Sequence, residues 1–221
     1  MGSAGRLIMT GIVIVIVGGL FMGSAVYALS VPASAEGPAS HTQPYDLTLV
    51  ITDGNWYNSS ISFQSSYFLL QNGSIASSSL IRIPADTEIV ITIVNYDNGT
   101  DNLSQPMYSD AMGVANQSVF VAGVGNLTMQ GLQDPSSIQN TLTGGYLSAF
   151  PSNKISHTFT VISGNTFVNI PVEPLSVEQT SFALPPGSYI WQCECACGST
   201  PDGWGGAMGA GGWMSGVVVV G

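Results

Sequence analysis

The sequence predicts an all-β domain, a Greek-key sandwich or barrel, preceded by one N-terminal transmembrane helix. Three observations predict it. Residues 7 to 29 are apolar and carry no charge, the length and character of a membrane span. After them come short runs rich in β-branched and aromatic residues, about nine of them, punctuated by Pro and Gly. No segment beyond the apolar run keeps a helical period over three turns.

The apolar run begins at Leu7 and ends at Leu29. Its β-branched content would suit a strand, but a single segment in lipid must satisfy its own backbone, so the helix wins. Arg6 precedes it, and the next basic residue is Arg82. The positive-inside bias then leaves the N-terminus in the cytoplasm and everything after the helix outside. The organisation is a transmembrane anchor over residues 1–30, a Ser-, Pro- and Ala-rich linker over 31–45, and a β-domain over 46–221. A cleaved signal peptide ending at Ala33-Ser34-Ala35 is the alternative. Both readings export the domain, and the anchored one makes it a single-pass protein of the cell membrane with its C-terminal domain extracytoplasmic. His41 lies in the linker and reads as solvated.

Within the domain, Leu47, Leu49 and Ile51 alternate with Thr48, Val50 and Thr52. A second run starts at Ile61 and Phe63 and ends in Tyr67 to Leu70. Leu80 to Ile83 stops at Pro84. Glu88 to Asn95 is strongly β-branched and reads as a central strand. Further runs are Ser118 to Val121, Ile155 to Ile162, Thr166 to Ile170, Ser176 to Leu184, Ser188 to Cys193 and Met214 to Val220. Residues 97–153 are polar and glycine-rich, with one or two short strands at most. An insertion of that length is more often functional or partner-facing than inert.

Lys and Arg total 3 against 13 Asp and Glu, a formal net charge of -10. That balance excludes nucleic acid as a partner, because phosphates need basic surface. Six Asn-x-Ser/Thr sequons stand at Asn58, Asn72, Asn98, Asn102, Asn116 and Asn126. On an exported domain they suggest a glycosylated surface away from the C-terminal stretch. There is no Gly-x-Ser-x-Gly elbow, and two histidines leave few choices for a hydrolytic triad.

Chemistry concentrates at the end of the chain. All three cysteines lie in Tyr189-Ile-Trp-Gln-Cys-Glu-Cys-Ala-Cys-Gly198, at Cys193, Cys195 and Cys197. Met208, Met214, Trp204 and Trp213 follow within one glycine-rich loop. Soft sulfur ligands between two strand-like runs suggest copper, with His157 as the upstream partner. On an extended strand Cys193 and Cys197 would be about 13 Å apart, too far to share a metal or a disulfide. For them to meet, the chain must turn at or after Cys193, and the glycines from Gly198 onward permit it. On this reading everything before residue 150 is scaffold, anchor or docking surface.

The order of these motifs resembles a cupredoxin domain: Ile-Ser-His157-Thr-Phe-Thr-Val, then Leu184-Pro-Pro-Gly187-Ser-Tyr-Ile-Trp-Gln-Cys193, then Met214 before Val217 to Val220. In that family a His sits on one strand, a Cys ends another, and a Met precedes the last. The C-x3-C spacing of Cys193 and Cys197 behind a membrane anchor is similar to subunit II of haem–copper oxidases, where two cysteines bridge a dinuclear copper centre. The resemblance covers roughly residues 80–96 and 150–221 and is specific only at the C-terminal motif. It implies a cupredoxin-like fold, copper as cofactor, and metal ligands among His157, Cys193, Cys197 and Met214. It departs from the family at one ligand. Both copper sites use a second His between Cys and Met, and none follows His157 here. Pro201 stands where it would fall, and Met208 is the candidate to stand in for it.

The resemblance therefore implies a subunit II-like component of a terminal oxidase, an electron-transfer part of a respiratory chain if copper binds. Its partners would be the membrane, the other oxidase subunits and a redox partner protein. Two alternatives stay open. One is a non-redox glycosylated surface protein in which two cysteines form a disulfide. The other is a protein that binds Cu(I) for delivery.

Overall fold

The computed structural model describes residues 43–54, 64–127, 134 and 137–221. The expected anchor, most of the linker, His41 and the beginning of the second predicted run lie outside these. Among the described residues no helix is long and apolar enough to cross a membrane.

The described chain is all-β, as its composition of short β-branched runs requires, and it forms two mixed sheets. The strands are β1 (Tyr45–Thr52), β2 (Ser66–Gln71), β3 (Ser74–Ser77), β4 (Leu80–Ile83), β5 (Ile89–Asn95) and β6 (Val119–Gly123). They continue with β7 (Gly144–Leu147), β8 (His157–Ser163), β9 (Thr166–Val172), β10 (Ser176–Phe182), β11 (Gly187–Gln192) and β12 (Ser215–Val220). The seven-stranded sheet runs β3-β2-β1-β5-β10-β6-β7 and the five-stranded sheet β4-β12-β11-β8-β9. Two neighbouring pairs are parallel, β1 with β5 and β4 with β12.

β5 lies in the middle of the larger sheet, where its unbroken β-branched run belongs. Ile89, Ile91 and Ile93 point into the main core with Leu47, Leu49 and Ile51 of β1. Opposing them are Phe159 and Val161 of β8, Val168 and Ile170 of β9, Trp191 of β11 and Val218 of β12. Val94 faces the other way. It joins Phe120, Ala122 and Val177 beneath a single helical turn, Ile138–Thr141, which contributes Ile138 and Leu142. The larger sheet is therefore buried on both faces at β5 and β10.

Part of the stretch expected to be an insertion is sheet. β6 pairs with β10, and β7 pairs with β6, extending the larger sheet. The part just after β5 turns toward the end of the molecule where His157 and the cysteines lie.

Candidate metal centre

β8 opens at His157, opposite Val172 of β9, and the Ser156 amide donates to the Val172 carbonyl at 2.8 Å. The backbone beneath the imidazole is thereby fixed. β11 ends at Gln192, and the next amide, Cys193, donates to the Met214 carbonyl at 2.8 Å. The chain then turns, as the thiol spacing demands. The Cys197 amide reaches back to the Cys195 carbonyl at 2.9 Å, and Gly198 donates to Gly203 at 2.6 Å. A side chain on Gly198 would collide with the Gly205 carbonyl, and Gly203 has φ +75. Glycine is required at both places.

The segment after β5 braces this loop from the other side. The Ala196 amide donates to Asn102, the Ser104 amide donates to Glu194, and the Ser104 hydroxyl reaches the Glu194 carboxylate at 2.7 Å. Leu103 and Cys195 form an antiparallel bridge.

The loop brings His157, Cys193 and Cys197 together, all buried, with one ligand atom from each within 4.8 Å of the others. The imidazole Nδ1 lies 3.1 Å from the Cys197 sulfur, and the two sulfurs are 3.4 Å apart. Two backbone amides, Thr158 and Cys195, each point at the Cys193 sulfur from 3.4 Å.

The charges follow from this geometry. Burial would push the Cys193 thiol up, but hydrogen bonds with Cys195, Cys197 and His157 hold it well below the usual thiol range. Cys195 and Cys197 go the other way, chiefly because each is bonded to the Cys193 thiolate. Negative charge in the cluster is thus favoured on Cys193 over the other two sulfurs. Burial pulls His157 down, and Asp97 and Cys193 outweigh it, raising the imidazole to about 9.

Asp97 is the residue that sequence reasoning missed. Its Oδ2 lies 3.1 Å from His157 Nε2, across 60 residues of sequence. Its own pKa is held far down, first by the His157 hydrogen bond. Ser65 and the Gly99 amide also bond its carboxylate, and its amide bonds the Asn95 side chain. Asp97 is therefore a rigid anionic partner for one nitrogen, leaving Nδ1 aimed at the sulfurs. The expectation that everything before residue 150 is scaffold, anchor or docking surface did not include a side chain bonded to His157, and Asp97 supplies one. The expectation that the sequons stand away from the C-terminal stretch fails at Asn102, whose carbonyl bonds the cysteine loop.

The donor set fits copper by its chemistry. Two cysteine sulfurs and one imidazole, closed off from solvent, favour a soft ion and Cu(I) over Cu(II). The carboxylate behind the imidazole is the kind of outer partner that fixes a metal-binding histidine.

No family model matches the chain, and no curated protein matches it either. Among solved structures it is similar to reduced rusticyanin, at 12% identity and a TM-score of 0.31, over 80% of this chain and 78% of that one. It is similar to auracyanin B at 12% identity and a TM-score of 0.32, over 81% of this chain and 91% of that one. A multicopper oxidase matches at 10% identity and a TM-score of 0.34, with 80% of this chain on 44% of that one. Likenesses this distant decide nothing about the site, whose chemistry has to come from its own residues.

The methionines are placed less directly. Met214 is fully buried in the main core, and its carbonyl holds Cys193. Met208 sits in the short turn Gly206–Gly209, partly buried against the same core. Trp213 is buried, whereas Trp204 is exposed.

Proposed function

We propose that this protein is a cupredoxin-like copper protein that passes single electrons on the outer side of a membrane. His157 Nδ1, Cys193 and Cys197 are the proposed ligands, with Met208 or Met214 as an additional thioether. The observation that carries the reading is the buried convergence of one imidazole and two sulfurs with Asp97 fixed behind the imidazole.

Copper, when bound, supplies a one-electron redox change at this position. The residues do the rest. Asp97 keeps a proton on Nε2, so that Nδ1 presents its lone pair. The Thr158 and Cys195 amides stabilise negative charge on the Cys193 sulfur. The surrounding core excludes water and holds the ligands in one arrangement.

The finer reading is a subunit II-like component of a terminal oxidase. It would be anchored in the cell membrane through the apolar run 7–29, glycosylated outside, and served by a redox partner protein. It is supported by the C-x3-C spacing and by the uncharged N-terminal run. Metal analysis and visible absorbance of the purified full chain, oxidised and reduced, test the copper role. Copper near one equivalent, pale when reduced and coloured after a strong oxidant, is the expected result. Repeated absence of copper would leave the non-redox surface-protein reading, with two of the cysteines as a disulfide. Membrane fractionation and N-terminal sequencing test the anchor, and a mature N-terminus at Glu36 would overturn it.

A further inference from the structure

Among the described residues three buried side-chain oxygens have no hydrogen-bond partner: Tyr67 Oη, Ser156 Oγ and Glu178 Oε2. Two of the three belong to residues at the metal centre. Ser156 precedes His157, and its carbonyl lies 3.7 Å from the Cys197 sulfur. Tyr67 packs edge-on against the His157 ring at a centroid distance of 6.2 Å.

Tyr67 sits fully buried on β2, wedged between His157, Trp191 and Phe159. Its backbone is fixed as well, because its amide donates to the Trp213 carbonyl at 2.9 Å, one residue before Met214. A phenol sealed in a core without an acceptor costs stability, whereas Phe would fill the same space without that cost. A local rule broken this way, with nothing gained in packing, is expected at a functional site.

We propose that Tyr67 is a positioning residue of this centre, whose free phenol O–H becomes a hydrogen-bond donor to the cysteine sulfurs once metal draws them together. The proposal rests on the copper reading above. Its logic is charge. Cys197 Sγ donates toward the Ser156 carbonyl at 3.7 Å in the metal-free protein, and loading a metal requires it as a thiolate, so this sulfur becomes an acceptor. The cluster's own thiols can no longer supply that bond, and Tyr67 presents a buried unused O–H on a ring packed against the imidazole. A donor to thiolate withdraws charge from sulfur, which favours the reduced ion and tunes its potential. Tyr67 neither reacts nor ligates in this scheme.

The test compares the full chain with Tyr67→Phe, with and without copper. Thermal melting of the metal-free proteins should place Tyr67→Phe higher by roughly 2–4 °C, because the unsatisfied hydroxyl is gone. Competition for Cu(I) against a chromophoric chelator should show its affinity down by roughly tenfold. The sulfur-to-copper absorption of the oxidised form should move. Opposite signs in the two measurements are the signature, because a tyrosine that only packs would change both in the same direction or neither. Unchanged affinity and unchanged absorption, or parallel losses of stability and affinity, would overturn the proposal. If the wild-type chain binds no copper, the copper reading itself fails, and the proposal with it. If it binds copper and only the variant behaves as wild type, Tyr67 alone is dismissed.

Discussion

Two regions of the molecule take a carboxylate out of water, Asp97 partly and Glu178 almost wholly, and they treat it in opposite ways. Asp97, at the mouth of the cysteine loop, is ionised and bonded to His157, Ser65 and the Gly99 amide. Glu178, on β10 in the larger sheet, is pushed up to about 8, first by burial. One oxygen of Glu178 takes the Glu173 amide at 2.9 Å and the Ser176 hydroxyl at 2.5 Å, while the other has no partner. A buried charge persists only where something opposite in sign is held against it. At Asp97 that partner is an imidazole beside a thiolate, a charged set belonging to a site. Among the described residues no cation is bonded to Glu178, and burial keeps the acid neutral at ordinary pH. The difference separates charges gathered at the proposed centre from one that is merely accommodated.

The largest expected effect comes from removing a sulfur. Cys197→Ser should abolish copper binding while the domain stays folded, measured by metal content and circular dichroism. If the two cysteines are a disulfide instead, the change should cost about 2 kcal/mol in chemical denaturation, since so short a loop restrains little chain. Thiol titration of the denatured, metal-free, unreduced protein decides between them. Three free thiols exclude the disulfide. Next in size is Asp97→Asn, which keeps an oxygen near Nε2 but loses the charge. Copper affinity should fall about 10- to 100-fold. An unchanged affinity would mean that Asp97 is only structural.

How much of this was readable in the chain can be judged residue by residue. β5 was legible as central because a β-branched run without alternation has to be covered on both faces. The turn after Cys193 was legible because extended geometry keeps Cys197 out of reach. β3, Ser74–Ser77, and β7, Gly144–Leu147, were not read as strands: Ser-Ile-Ala-Ser and Gly-Gly-Tyr-Leu bury little, and pairing with β2 and β6 makes them strands. Asp97 sits in a polar stretch among other acids, and only the parallel pairing of β1 with β5 and the return through β8 bring it to His157. Tyr67 reads in sequence as one more aromatic core residue. What the sequence withheld is the long-range placement of polar groups, which leaves no periodic trace.

Glu178 gives a pH prediction of the opposite sign to the usual acid case. Its pKa rises from an ordinary 4.5 to about 8 on folding. Between those values the folded protein holds a proton that the unfolded chain has lost, so stability falls as pH rises, by up to about 1.4 kcal/mol per pH unit. Below 4.5 the effect vanishes, and above 8 it levels off. His157, raised from 6.5 to about 9, would add a loss in its own higher window, but the Cys193 thiol beside it is held well below its usual range and acts with the opposite sign, so the two offset each other in the metal-free protein. Between 4.5 and 6.5 the part due to Glu178 is read as the difference between wild type and Glu178→Gln, because the Cys193 and His157 contributions are common to both proteins. Glu178→Gln should remove a downward contribution there, so urea-derived stability should fall less with rising pH than in wild type. A slope equal to wild type in that interval would show that Glu178 is ionised in the folded state.

The smallest effect, and the one that sharpens the contrast, is Ser176→Ala. The Ser176 hydroxyl bonds Glu178 Oε1 and favours the ionised acid, working against burial. Removing it leaves the Glu173 amide as the remaining donor to that oxygen in the described structure. The Glu173 carboxylate and the charges around His157 and Tyr67 are left as they were, so only the local hydrogen bond changes. Glu178 should then titrate still higher, and the fall in stability with pH should extend beyond 8 before levelling. At pH 5, where the acid is neutral in the folded state, the substitution should cost about 1 kcal/mol, the worth of one ordinary hydrogen bond. Near pH 9 the cost should be larger, because the bond lost there is one to a charge. Copper affinity should not move, since Ser176 touches neither the sulfurs nor the imidazole. A cost independent of pH would mean that the Ser176 bond does not distinguish the two forms of Glu178, and the burial of that acid would need another explanation.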